Sequence, residues 1–208
     1  MLRATGGTVA PALAGCQSRF VPWFQAFGIM IFRRLFRHFR ADPAAALYGR
    51  LVAQARQPAF YTVCAVPDSV QGRFEMIALH AFLVMRRLKT GGAAGALAQD
   101  LFDLMFADMD RNLRELGTGD LAVGKRIKKL AKSFYGRVAA YEDGLAGPAD
   151  RLEEALARNV YEDVVAPPQA VAALAGYLRQ ADALLSAQPL AALAAGELRF
   201  LPPPAMAA

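Results

Sequence analysis

Ten consecutive residues, Met76–Met85 (MIALHAFLVM), are apolar on every side of a helix except at His80. A helix without a polar face cannot lie on a surface and must be enclosed by other elements. Pro67-Asp68-Ser69 supplies a helix start before it, and Gly91-Gly92 supplies a stop after it. The spacing therefore predicts one central buried helix, with Ile77, Leu79, Phe82, Leu83 and Val84 in the core. His80 is expected to be a hydrogen-bonded structural histidine.

The rest of the chain supplies the enclosing helices. Asp42-Pro43 opens one that runs to about Gln57 and stops before Pro58. Phe60–Val66 reads as a loop or a single turn. A helix from Ala96 to Leu116 carries Leu101, Leu104, Met105, Met109, Leu113 and Leu116 as its inner stripe. Gly117-Thr118-Gly119 then turns the chain into a helix over Asp120–Asp143, ending near Gly144. Its inner face is Ile127, Leu130, Ala131, Phe134, Val138 and Tyr141. Gly147-Pro148 opens a further helix to Asp163, Pro167-Pro168 another to Ala187, and Ala191–Phe200 a short last one. No run between turn signals alternates with the period of a strand. The expected fold is all-α: a single-domain bundle of six or seven helices with a basic amphipathic N-terminal arm. The boundaries are 1–41 for the arm, 42–200 for the helical domain and 201–208 for a Pro-rich tail.

Charge is distributed unevenly. The net charge is +6, and residues 1–41 contain six arginines and no acid. The remaining 18 Lys and Arg balance the 18 Asp and Glu, so the body is neutral. A DNA binder would carry basic charge through its folded domain. A basic, aromatic-rich arm suits an anionic membrane surface instead. In Met30–Arg40, Phe32, Phe36 and Phe39 fall at helical spacing, with Arg33, Arg34, Arg37 and Arg40 mostly opposite. These seven residues are the expected membrane contact, on the inner face of the cytoplasmic membrane. No uncharged apolar run reaches the roughly 18 residues that span a bilayer. Met30 is an alternative start. Leu13-Ala14-Gly15-Cys16 has the shape of a lipoprotein cleavage box, without the apolar core that should precede it. Cys16 and Cys64 suggest neither a disulfide framework nor a zinc site, and point to a reducing compartment.

Catalytic constellations are lacking. The histidines are His38, in the arm, and His80. No serine lies in a nucleophile elbow. Gly119–Lys125 fits the first seven positions of a phosphate-binding loop, but Arg126 stands where Ser or Thr must bind magnesium. A helix start capped by Asp120 is the better reading. Asp100, Asp103, Asp108 and Asp110 crowd one helix without the Glu-x-x-His pairs of a di-metal site. No enzyme activity, metal or cofactor is expected. Two helix faces remain as binding surfaces. One carries Asp108, Asp110 and Arg111. The other carries Lys125, Lys128, Lys129 and Lys132, flanked by Arg126 and Arg137. The two helices should pack antiparallel and place an acidic face beside a basic one.

Four segments carry a family resemblance: LYGRLVAQARQPAFY (47–61), QGRFEMIALHAFLVMRRLK (71–89), LFDLMFADMDRNLREL (101–116) and VGKRIKKLAKSFYGRVAAYE (123–142). The sequence resembles the ubiquinol–cytochrome c chaperone family, bacterial relatives of a mitochondrial complex III assembly factor. The resemblance implies an all-helical domain that assists assembly of the cytochrome bc1 complex and has no active site. It implies cytochrome b, or another bc1 subunit, as client. The ribosome or a second assembly factor is implied as a further partner. Two other readings stay open: a helical protein with a lipid or quinone pocket, and a ribosome- or RNA-binding module using the basic helix.

Overall fold

The structure is a computed structural model, and it describes residues 42–91, 95–162 and 164–205. The arm with Phe32, Arg33, Arg34, Phe36, Arg37, Phe39 and Arg40 lies outside the described residues. Within them the fold is all-helical. The elements are α1 (Pro43–Ala55), α2 (Pro58–Thr62), α3 (Val70–Lys89), α4 (Gly95–Glu115), α5 (Asp120–Ala146), α6 (Ala149–Val160), α7 (Pro168–Ala187) and α8 (Leu190–Ala194).

The central helix is α3. Asp42 caps α1 through the backbone N–H of Ala44, and Ser69 caps α3 through that of Gly72 (both 3.0 Å). Every residue from Phe74 to Met85 is buried, including Ile77, Leu79, Phe82, Leu83 and Val84. Helices α1, α4, α6 and α7 pack around α3, while α5 lies between α4 and α6. His80 is fully enclosed. Its Nδ1–H donates to the Met76 carbonyl (2.7 Å), which leaves Nε2 to accept from the Tyr177 hydroxyl (2.9 Å). Gln54 donates to that same hydroxyl and to the Leu201 carbonyl, so one polar chain joins α1, α3, α7 and the C-terminal segment. Burial lowers the His80 pKa to about 4, so the ring is neutral.

Several expectations change. The eight helices of the described residues exceed six or seven because Pro58 at the first position starts a one-turn helix, α2, where a loop or turn was expected. The helix expected to end near Gly144 continues to Ala146. Gly144 serves close packing rather than termination: a Cβ there would lie 2.8 Å from the Leu152 Cα on α6. The last helix stops at Ala194, short of Phe200, because Gly196 takes φ +83° and turns the chain away. The segment beyond it is held by the Gln188 side chain, which donates to the Arg199 carbonyl and accepts from the Arg199 N–H, as a neighbouring strand would. Leu116, assigned to the inner stripe, lies past the end of α4 and is 64% exposed.

Candidate functional site

Helices α4 and α5 form an antiparallel hairpin. Thr118 and Gly119 link them after Gly117, whose φ of +78° suits glycine. Rings hold the pair together: Phe102 lies 5.8 Å from Phe134 and 5.6 Å from Tyr135, and Phe106 lies 6.2 Å from Phe134. Arg114 clamps the turn end by bonding Asp110, one turn back, and Asp120 at the start of α5. Asp120 is therefore an ion-pair partner at the first position of α5. The capping position expected of it belongs to Gly119.

The hairpin brings the expected binding residues together, with Asp108 and Asp110 already engaged by partners within the protein. Asp108 accepts a hydrogen bond from the Tyr48 hydroxyl of α1 (2.9 Å) and another from Asn112. Burial, then the adjoining carboxylate, holds the Tyr48 hydroxyl well above its ordinary range. Asp110 is taken up by Arg114, while Arg111 is exposed, 4.0 Å from Asp108. The two acids thus hold the hairpin and its neighbour α1 together. Lys125, Lys128, Lys129 and Lys132 are exposed on α5, and Arg126 donates to the Thr118 hydroxyl. Ile127, Leu130 and Ala131 are half-buried on the same stretch, and Phe134, Val138 and Tyr141 are buried. The exposed side of the N-terminal half of α5 is therefore basic.

Arg137 does not flank that surface as expected. It turns inward and makes a bidentate ion pair with Glu75 of α3, with both contacts at 2.5 Å. Gln71 also donates to Glu75, and Arg137 reaches the Ser133 hydroxyl. The Arg137 and Glu75 side chains are 7% and 0% exposed. Burial pushes the Glu75 carboxyl up to about 7, against the pull of Arg137. The sequence does carry a signal for this. Arg137 lies three residues after Phe134 and four before Tyr141, on the period of the buried stripe. The pair fixes α5 to the core near its middle, so the basic N-terminal half extends from a fixed base. A second bridge, from Arg86 to Glu142 and Asp182 (2.8 Å each), ties α3 to α5 and α7. Among the described residues no three metal-capable side chains converge, and no helix is long and apolar enough to cross a membrane.

Comparisons with known proteins agree with one another. The family described as Ubiquinol-cytochrome C chaperone matches residues 62–200. Ubiquinol-cytochrome c reductase complex assembly factor 1 of Mus musculus is 24% identical over 161 residues, covering 76% of this chain and 55% of that protein. Its Xenopus laevis counterpart is 22% identical over 138 residues, covering 66% of this chain and 69% of that protein. The Homo sapiens protein is 24% identical over 138 residues, and this chain spans 46% of it. The chain thus spans about half the length of the mouse and human relatives. A solved structure, the Cbp3 homolog from Brucella abortus, is 44% identical with a TM-score of 0.70, covering 77% of this chain and 89% of that one.

Proposed function

The chain belongs to the ubiquinol–cytochrome c chaperone family, and from that premise we propose that it assists assembly of ubiquinol–cytochrome c reductase by binding a membrane subunit, cytochrome b foremost. A newly made membrane subunit exposes surface that aggregates unless a partner covers it. A chaperone meets that need by binding, and no reaction has to be catalysed. The observation that carries this reading is the family match over residues 62–200, which contains the entire α4–α5 hairpin. The hairpin supplies the client surface: Lys125, Lys128, Lys129 and Lys132 with Arg111, over a base set by Asp108 and Asp110. The arm, through Phe32, Arg33, Arg34, Phe36, Arg37, Phe39 and Arg40, keeps the protein peripheral on the inner face of the cytoplasmic membrane, where such a client emerges.

Charge reversal tests the surface. In the Lys128→Glu/Lys129→Glu/Lys132→Glu variant each change falls on an exposed position, where the effect on stability stays within about 0.5 kcal/mol. The variant is expected to fold as the parent does, to co-purify less cytochrome b and to support less assembled reductase. A well-folded variant that captures cytochrome b as fully as the parent would place the client elsewhere.

A further inference from the structure

From Leu121 to Tyr141 the chain has no acid, and five cations, Lys125, Arg126, Lys128, Lys129 and Lys132, lie exposed on the N-terminal half of α5. Several cations elsewhere in the bundle are matched, Arg73 to Asp68, Arg86 to Glu142 and Asp182, and Arg151 to Asp143, whereas the basic stretch of α5 gathers its cations on one half of one helix. No described carboxylate forms an ion pair with the four lysines. The lysines are spaced three and four residues apart, so neighbours on the helix repel one another. The arrangement therefore adds no ion pair to the fold and leaves the cations available to an external partner.

The shape of the surface limits what fits it. Lys125 to Lys132 covers about 10 Å of one straight helix side at the ordinary helical rise. Such a convex ridge has no hollow for a small anion. Single-stranded RNA is held by stacking on aromatic rings as well as by charge. Of the nearest rings Phe134 is buried and Tyr135 is half-buried, with one face stacked on Phe102. Lysines in a row, each a point charge on a flexible stem, suit a flat anionic plane. Leu116 is exposed in the turn that leads into this half of α5.

We infer that the basic face of α5 is a contact for anionic phospholipid headgroups, which lays the α4–α5 hairpin against the bilayer. The inference rests on the proposed function in requiring that the protein work at a membrane, and it gives the four lysines there offered to the client a lipid contact that the capture arm of the test below tells apart. The contact is separate from the N-terminal arm and acts on the part of the molecule that meets the client.

The test uses the full chain in three forms: the parent, a variant with Lys125, Lys128, Lys129 and Lys132 changed to Gln, and one with the same four changed to Arg. Each is sedimented with vesicles of phosphatidylcholine containing phosphatidylglycerol, and with vesicles of phosphatidylcholine alone. The parent and the Arg variant are expected to bind the anionic vesicles. The Gln variant is expected to bind them more weakly by about tenfold or more, at an unchanged thermal midpoint. If the Gln variant binds anionic vesicles like the parent, the inference is overturned. If it keeps vesicle binding and loses binding to a single-stranded RNA, the face belongs to RNA and the inference is again overturned. Capture of cytochrome b from detergent extract, with no bilayer present, separates this contact from the client surface. Weaker vesicle binding with intact capture leaves the lipid contact standing and removes the lysines from the client site. Lost capture with intact vesicle binding does the reverse.

Discussion

Replacing Arg137 by alanine is expected to destabilise the protein by about 3–5 kcal/mol, the usual consequence of leaving one member of a buried ion pair without its partner. The carboxylate left behind, Glu75, is buried and would retain only the Gln71 amide and its other neighbours. The effect should depend on pH. In the parent, the Glu75 pKa is raised by burial to about 7 from an ordinary 4.5, so the folded state holds this proton more tightly than the unfolded chain. A raised carboxylate pKa contributes stability that is full below the unfolded value and lost as pH rises through the folded value. Removing Arg137 takes away a charge that favours ionised Glu75, so the pKa rises further. The deficit of Arg137→Ala should therefore be larger at about pH 8 than at about pH 5, where Glu75 is protonated. Urea unfolding at the two pH values measures this. A second variant, Glu75→Leu/Arg137→Met, should recover most of the loss, since apolar replacement of both partners is often neutral. A deficit below about 1 kcal/mol at both pH values would show that the pair does not fix α5 to the core.

Phe82→Ala is expected to cost a similar amount, about 3–5 kcal/mol, for a different reason. Phe82 is 2% exposed at the centre of α3, and its ring lies 5.6 Å from that of Tyr141 on α5. Truncation removes apolar contacts and leaves a cavity walled by well-packed neighbours that can close only in part. Charge plays no role at Phe82, so this loss should be independent of pH, unlike that of Arg137→Ala. Chemical denaturation measures it, and a loss well under 1 kcal/mol would place α3 at the periphery.

The two residues also mark what the sequence discloses and what it withholds. Phe82 is legible because α3 is apolar all round, and no partner needs to be known to place such a helix inside. The caps at Asp42 and Ser69 are legible for the same reason, since their chemistry is local. Arg137 needs a partner 62 residues away, on a helix packed against its own only in the fold. Asp108 is similar: it reads as one of a row of surface acids, yet its hydroxyl donor, Tyr48, lies 60 residues earlier. Gly144 carries the usual signal for a helix end and is kept instead for the approach of Leu152. Local chemistry and periodicity can be read along the chain, whereas pairs brought together by packing cannot. The basic face of α5 was legible because it has no pairing within the described residues to reveal.

The central claim, that this chain binds a membrane subunit of ubiquinol–cytochrome c reductase during assembly, is tested most directly by affinity purification. The tagged full-length chain would be crosslinked in its native membrane, purified and analysed by mass spectrometry. Enrichment of reductase subunits, with cytochrome b foremost, is the predicted result. If the tagged chain carries no reductase subunit above the level of an untagged control, the account of its function is contradicted.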